Sequence, residues 1–414
     1  MKILILTALY PPLGASGHDD RCRQVVDALS ARGHRLQVLT SNHRVPPMGV
    51  PREKGVFRQL MLHDLEDSES TLGVSYKATY EQELAHARVL YNRVDRFKPD
   101  VVYVWNMNGL SKSLLLGLQD QGTSMVYDLH GNWLSPQVFD LDPWFSWWQR
   151  SRSLRTKCYQ LYLKLTGAAR RRLRHFPVGQ ATDLDISNAS VCSVSLRDDL
   201  VAAGVSQAAS LPVMYPALDT NHLLFKCKYQ RARKFMWAGR LNAAKAPGVA
   251  LRAVGVLKER GIDVELDFYG MGDPIERKAM RNLIDGAGLS DSVRMLGIRP
   301  GELAMKYADY DALLFTSRCN DPFPITPLEA MLSGLPSILA RDGGIEEIAK
   351  DGETALLYNA GDANALADAM VRMMGLEDGG AAMAKNCMES LQAQHSLGIV
   401  VPQIEALLSA SVQS

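Results

Sequence analysis

Two successive series of alternating strand-like and helix-like runs constrain the fold of this chain more than any other feature. Residues 2–8 form an almost continuous apolar run, followed by a Pro/Gly loop at 11–17. Residues 18–31 then place Val25, Val26 and Leu29 at helical spacing and stop at Arg32-Gly33-His34; a second apolar run covers 35–40. A strand that is apolar throughout is one covered on both faces, and a β-loop-α-β order joins its strands in parallel. The pattern continues with helix 79–97, strand 100–105, helix 109–119, strand 124–129, and a strand–helix–strand reading of 190–215. Residues 42–78 read as an irregular polar excursion, and 143–182 break the rhythm. A second series starts at 234. Its strands fall at 234–238, 264–269, 292–296, 311–316 and 336–340, and its helices at 247–260, 275–287, 301–308, 327–333, 344–350 and 362–374. A chain of 414 residues suits two or three domains, and two series of similar size favour two. The expected fold is α/β, with two Rossmann-like domains facing a cleft. Residues 1–215 form the first, 216–392 the second, and 393–414 a final helical segment.

Composition narrows the class. Hydrophobic residues make up 47% and charged residues 22%, which excludes a disordered or collagen-like chain. The formal charge of +1 excludes a nucleic-acid binder by overall charge, so any basic function is local. The six cysteines (22, 158, 192, 227, 319 and 387) form no CxxC pair and no zinc-spaced cluster, which points to a reducing, cytoplasmic compartment. No apolar run reaches the roughly 18 residues of a membrane span. The opening Met1–Leu6 run is too short for a signal peptide and is followed by Pro11-Pro12, so a strand fits it better.

The most informative stretch is 321–336, DPFPITPLEAMLSGLP, in which Asp321 and Glu329 bracket seven residues. Asp321 lies in a Pro-rich loop after a strand and Glu329 in the first turn of a helix. Thr326-Pro327-Leu328-Glu329 fits a capping box, with Thr326 as N-cap and Pro327 at the first helical position. The same geometry has a functional reading. A helix N-terminus after a loop offers unpaired N–H groups and a positive dipole end to a diphosphate. A carboxylate there can accept hydrogen bonds from both hydroxyls of a ribose.

This segment resembles the E-x7-E signature of family 4 glycosyltransferases, which are retaining enzymes of GT-B fold. The resemblance extends over about 350 residues of this sequence. Gly14-Ala15-Ser16-Gly17 with Arg32-Gly33-His34 is similar to the family's N-terminal glycine loop. Gly239-Arg240-Leu241 with Lys245 is similar to its GRL…K phosphate clamp. Phe268-Tyr269-Gly270-Met271-Gly272 and Arg294-Met295-Leu296-Gly297 resemble the strand ends that flank the nucleotide. Gly343-Gly344-Ile345-Glu346-Glu347 with Asp351-Gly352 resembles the GG-x-x-E…DG segment. Tyr215-Pro216-Ala217-Leu218-Asp219 resembles the interdomain Y-P-G-x-D linker, with Ala217 in place of Gly. Two further departures are Asp321 for the usual Glu and Pro324 for the usual Gly. The first shortens the acid by one methylene, and the second removes an N–H donor.

The resemblance implies that residues 1–215 bind the acceptor and 216–392 a nucleotide-diphosphate sugar, with the last helix crossing back to the first domain. It places Gly14, Gly17, Arg240, Lys245, Gly270, Gly272, Met295, Ile325, Thr326 and Glu329 at the donor, and His130, Arg240, Lys245 and Asp321 at the chemistry. His130 follows strand 124–129 beside Gly131 and would orient a sugar hydroxyl. His18, Asp19 and Asn132 would face the acceptor. No cofactor and no metal is expected, because fixed cations and helix N-termini take the charge of the leaving diphosphate. The expected partners are a nucleotide sugar donor and a glycan, lipid-linked or small-molecule acceptor.

Several features have competing readings. The Asp-Leu-Asp triplets at 140–142 and 183–185 raise a metal-dependent alternative. The stretch 143–182 has nine Lys/Arg and no Asp/Glu, with Trp144, Trp147 and Trp148 near its start. It suits an anionic membrane surface or an anionic acceptor, or else a solvated helix with its Trp residues packed. Nucleic acid is not expected, since no recognition motif accompanies the charge. A nucleotide-sugar epimerase of GT-B fold and a catalytically silent sugar-nucleotide-binding subunit remain as alternatives to a transferase in cell-envelope polysaccharide or glycolipid synthesis. A dinucleotide-dependent dehydrogenase does not fit, because Gly14 and Gly17 lack the G-x-G-x-x-G spacing.

Overall fold

Ile3, Leu4, Ile5 and Leu6 are all fully buried, as a strand at the centre of a parallel sheet requires. In the computed structural model they lie in β1 (Lys2–Leu6). The structure describes residues 1–13, 17–43, 45–46, 49–51, 53–63, 76–150, 153–297 and 302–413. The chain divides into two compact units, Met1–Tyr215 with Val401–Ser414, and Pro216–Val400.

Unit 1 holds β1, β2 (Arg35–Ser41), β3 (Val56–Leu60), β4 (Val101–Val104), β5 (Met125–Leu129) and β6 (Ala189–Val191). They form a six-stranded sheet of order β3-β2-β1-β4-β5-β6, parallel throughout. Ile3 pairs with Leu36 on one side and Val101 on the other. The helices are α1 (Gly17–Ala31), α2 (Tyr76–Phe97), α3 (Ser113–Asp120), α4 (Pro136–Phe139), α5 (Pro143–Gln149), α6 (Leu154–Leu165), α7 (Ala168–His175) and α8 (Val194–Ala202). β3 lies inside the stretch expected to be irregular. It is an edge strand with only Leu60 fully buried, so it lacks the continuous apolar run that marks the inner strands.

The acids of the Asp-Leu-Asp triplets make local structural contacts. Asp142 caps α5 by accepting the N–H groups of Trp144 at 2.9 Å and Phe145 at 3.4 Å, and Pro143 opens the helix. Asp140 pairs with Arg150 at 2.7 Å, Asp183 accepts the Gln180 N–H, and Asp185 accepts the Ser187 N–H.

Unit 2 holds β7 (Lys234–Arg240), β8 (Glu265–Met271), β9 (Val293–Leu296), β10 (Ala312–Phe315), β11 (Ser337–Arg341) and β12 (Leu356–Asn359). Its sheet order is β12-β11-β10-β7-β8-β9, again parallel. The helices are α9 (Pro247–Glu259), α10 (Pro274–Gly286), α11 (Ile325–Leu332), α12 (Ala363–Met374) and α13 (Ala381–His395). The helices expected at 301–308 and 344–350 are 3-10 turns instead, over Leu303–Met305, Tyr307–Asp309 and Gly343–Glu347. The edge strand β12, with its short Leu-Leu-Tyr-Asn run, was not legible as a strand. The last helix, α14 (Leu397–Gln413), leaves unit 2 at Val400. Its Glu405 then pairs with Arg32 at 2.6 Å and His34 at 2.6 Å in unit 1. Among the described residues no helix is long and apolar enough to cross a membrane.

Candidate functional site

In unit 2, β10 lies beside β7 although β8 and β9 separate them in sequence. The strand order reverses there, and in open parallel sheets the crevice outside the C-terminal strand ends at such a point receives ligands. Lys245 arrives on the loop after β7 and Asp321 on the loop after β10. Their side chains form an ion pair and keep 21% and 10% of their surface exposed.

Main-chain bonds fix each loop. Asn242 Oδ1 accepts the Lys245 N–H at 3.1 Å. Thr316 Oγ1 donates to the Lys245 carbonyl at 2.8 Å and accepts the Trp237 Nε1–H at 2.8 Å. The Arg318 N–H donates to the Ala244 carbonyl at 2.9 Å. On the other side, the buried Asp342 carboxylate accepts the N–H groups of Cys319 at 3.2 Å, Asn320 at 2.7 Å and Asp321 at 3.3 Å. A Cβ at Gly343 (φ +67°) would collide with the Asp321 carbonyl, and one at Gly344 with the Pro322 carbonyl. This is the segment that resembles GG-x-x-E…DG. The residues that hold the Asp321 loop are Asp342, Gly343 and Gly344, and the adjacent Gly-Gly pair was the signal for that close approach. Glu346 pairs with Arg341 at 3.3 Å on the surface.

The capping-box expectation for Glu329 is overturned. α11 begins at Ile325, its N-cap is Pro324, and no side chain caps it. The helix starts earlier than expected, so Thr326 is inside it and Pro327 occupies the first turn, where a missing N–H has no intrahelical partner to lose. Glu329 instead accepts the Tyr307 O–H at 3.0 Å. Burial, reinforced by the Glu329 charge, holds the Tyr307 phenol well above its usual range, so it remains a donor. Ile325 and Thr326 form the opening of α11, with Ile325 buried.

Arg240 ends β7, is exposed, and has no side-chain hydrogen bond or ion pair among the described residues. Its strand neighbours explain the next glycines. Gly239 pairs with Gly270, and a Cβ at Gly270 would collide with the buried Leu241 side chain; one at Gly272 would meet Glu276 and Leu241. These glycines make room for Leu241 packing. Met295 lies on edge strand β9, paired with Phe268, away from the β7–β10 crevice.

Unit 1 brings together a second set of residues. Gly14 lies outside the described residues, and Gly17 opens α1. His130 follows β5, and its side chain is 8% exposed. Its Nε2 lies 2.6 Å from Asp128 Oδ1, and the buried Arg21 guanidinium contacts the ring. Arg21 also reaches Asp128 Oδ2 at 3.5 Å, where the Tyr103 O–H donates at 2.6 Å. The Trp105 and His18 rings stack on His130 with centroids 5.4 and 5.5 Å away. Burial opposes the Asp128 charge, but His130 and Arg21 together hold its carboxyl well below the usual range. Burial and then Arg21 lower His130, against the pull of Asp128, so the imidazole is neutral near pH 7. Asp19 is buried in the first turn of α1, whereas Asn132 is exposed at the start of a 3-10 turn. Arg21 and Asp128 were not singled out in sequence; each sits two residues from a chosen position, Asp19 and His130 respectively.

Known proteins match both units. The family model described as Glycosyltransferase Family 4 matches residues 16–181, and that described as Glycosyl transferases group 1 matches 232–375. A D-inositol 3-phosphate glycosyltransferase of Corynebacterium urealyticum is 33% identical over 160 residues, 37% of this chain and 38% of that protein. The amylovoran biosynthesis glycosyltransferase AmsK of Erwinia amylovora is 32% identical over 34% of this chain and 35% of its own length. The match thus spans little more than a third of these relatives. A sucrose-phosphate synthase of Thermosynechococcus elongatus superposes with a TM-score of 0.70 at 18% identity, covering 99% of this chain and 98% of that one. Anabaena HepE in complex with UDP-glucose gives 0.67 at 20% identity, covering 99% and 100%. At these identities the structural likeness is one of fold. With its strand order, its motifs and both matches in agreement, the chain belongs to glycosyltransferase family 4 and has the GT-B architecture.

Proposed function

We propose that the protein is a retaining, metal-independent glycosyltransferase that moves a sugar from a nucleotide-diphosphate sugar to an acceptor in cell-envelope polysaccharide or glycolipid synthesis. The observation that carries this reading is the Lys245–Asp321 pair at the strand-order reversal of unit 2, with Arg240 exposed at the end of β7 and Glu329 on α11. The names of AmsK and of the putative colanic acid glycosyltransferase WcaL of Escherichia coli support the polysaccharide assignment. The UDP-glucose held by HepE supports the donor class.

In this reading Lys245 exchanges its bond to Asp321 for the donor diphosphate, and Arg240 provides the second cation. Two fixed cations and the N–H groups of the first turn of α11 offset the charge that grows on the leaving group. Glu329, oriented by Tyr307, accepts hydrogen bonds from the ribose hydroxyls. Asp321, released from Lys245, accepts from hydroxyls of the transferred sugar. The bond between the anomeric carbon and the phosphate oxygen breaks, and its electron pair stays with the diphosphate. The acceptor hydroxyl forms the new bond on the same face and gives its proton to the departing phosphate oxygen. His130, neutral and held by Arg21 and Asp128, orients a sugar hydroxyl. His18, Asp19 and Asn132 belong to the acceptor side. The protein works on the cytoplasmic face of the membrane.

A thermal-shift panel of UDP, GDP, ADP, CMP and dTDP with their common sugars, run in EDTA, tests the donor site, since a ligand of the folded state raises Tm by mass action. A shift with one nucleoside diphosphate, lost in Lys245→Ala, is the expected result. Release of the diphosphate with formation of an α- or β-linked product matching the donor's anomer separates transfer from epimerisation and from silent binding. Nucleotide binding without turnover on any acceptor would leave the silent subunit.

A further inference from the structure

We propose that the α6–α7 hairpin of unit 1 docks on an anionic lipid bilayer, and that α6 is the element that enters it. The tryptophans are not the anchor. Trp144 is fully buried, and its Nε1–H donates to the Phe176 carbonyl at 2.9 Å. Trp147 packs on Tyr76 at 4.4 Å and on Trp148 at 4.8 Å, within an aromatic cluster that ties α5 to α2.

The hairpin instead exposes a stripe on α6. Leu154, Cys158, Leu161, Tyr162 and Leu165 recur at intervals of three and four residues, which places them on one helical face. That face points to solvent: Leu154 and Leu165 are 79% exposed, Leu161 57% and Tyr162 58%, and Cys158 is exposed. Only Leu163 of this helix is buried. An amphipathic helix covered on one side turns its apolar stripe inward, so the outward stripe of α6 implies a second apolar environment.

Charge selects that environment. Arg155, Lys157 and Lys164 on α6 and Arg170, Arg171 and Arg174 on α7 are exposed, with no ion pair among the described residues. No acidic residue occurs from 143 to 182. An apolar stripe flanked by uncompensated cations matches a helix lying in the interface of a bilayer whose headgroups carry negative charge. A second copy of the chain is disfavoured, because a two-fold contact would set this acid-free patch against itself.

The test is co-sedimentation of the full chain with phosphatidylglycerol–phosphatidylcholine vesicles and with pure phosphatidylcholine vesicles. The expected result is binding only to the anionic vesicles, weakened by high salt. Leu161→Glu with Leu165→Glu lowers the partition coefficient by about tenfold or more, with Tm unchanged, and the Arg170, Arg171, Arg174 triple Gln variant lowers it as well. Absence of sedimentation with the anionic vesicles, equal binding to both kinds, or full binding by the leucine variant overturns the proposal. So does a concentration-dependent dimer that the leucine variant abolishes while no vesicle is bound. The readout involves no nucleotide, so a failure here leaves the transferase reading standing, and failure of that reading leaves the docking surface testable.

Discussion

The two units share one topology and use it in opposite ways. Each sheet reverses its strand order once, between β1 and β4 in unit 1 and between β10 and β7 in unit 2. In unit 1 the charges near the strand ends are sealed: Arg21 and Asp128 are fully buried and bonded to each other, to His130 and to Tyr103. In unit 2 the corresponding charges stay reachable. Arg240 is exposed, Lys245 and Asp321 keep part of their surface, and Glu329 is half-buried. A sealed ion pair holds a geometry, because either partner alone in the interior is costly, whereas a reachable pair can be exchanged for a ligand. In the proposed reading, the sealed charges of unit 1 position and the reachable charges of unit 2 bind.

The largest test of that contrast is Asp128→Ala. It leaves the Arg21 guanidinium buried without its countercharge and should cost about 3–5 kcal/mol of stability in urea unfolding. A loss below about 1 kcal/mol, the scale of a surface pair, would mean that these charges are not committed to the fold. Lys245→Ala is its mirror image. Turnover should fall by about 10²–10³, the scale for removing one preorganised donor to a developing oxyanion, while Tm barely moves. If the Lys245 variant melted as the Asp128 variant does, the contrast between the units would collapse.

The pH dependence of unit 1 has two opposed sources: its buried histidines, and buried Glu83, which burial, with Asp142 beside it, pushes up to about 8 and which stabilises the fold below that range. Burial, with His63 beside it, lowers His86 from 6.5 to about 4, and burial also lowers His63 and His130. A base whose folded pKa is depressed binds fewer protons folded than unfolded in the window between the two values. The stability that rests on neutral His86 is present above about pH 6.5 and is lost as pH falls toward about 4, with an upper bound of roughly 3 kcal/mol. The His86 contribution is read from chemical denaturation between those pH values as the difference between the wild type and His86→Phe, in which the Glu83 contribution cancels, and the variant should lose it. An unchanged slope would place the acid sensitivity elsewhere.

Inner strands were more legible in the sequence than edge strands. Inner strands such as Ile3–Leu6 had to be apolar on both faces and were plain. The edge strands Val56–Leu60 and Leu356–Asn359 were missed, although the edge strand Val293–Leu296 was read. Lys245, Asp321 and Glu329 were singled out because motif spacing carries them, and the structure brings Lys245 and Asp321 together. Asp342 was missed because its work is invisible in one dimension: a carboxylate 21–23 residues away accepts three consecutive N–H groups of the Asp321 loop. The capping box failed because α11 starts at Ile325, which puts Thr326 inside the helix and leaves Pro324, which has no capping side chain, at the N-cap.

Asp342 supplies the next test of the reachable site. Asp342→Ala removes the acceptor for three loop N–H groups and should lower kcat by about tenfold, near 1.4 kcal/mol, with less effect on the KM of the donor. Asp342→Asn keeps one acceptor oxygen and should recover part of the loss. Equal damage to kcat and Tm in both variants, with no recovery, would reduce Asp342 to a fold residue.

The smallest expected effect is the most discriminating. Glu329→Gln keeps an oxygen that accepts the Tyr307 O–H, so the buried phenol loses no partner and Tm should hold. It removes the charge and one acceptor oxygen, so two ribose hydroxyls can no longer both be satisfied. Nucleoside diphosphate affinity should fall about three- to tenfold, roughly 0.7–1.4 kcal/mol, and the loss should be smaller for a 2′-deoxyribose nucleotide, which offers one hydroxyl fewer. An unchanged affinity with a lowered Tm would make Glu329 only the anchor of Tyr307. Unit 2 would then resemble unit 1, with its acid spent on holding the fold and its ligand contacts left to Arg240 and Lys245.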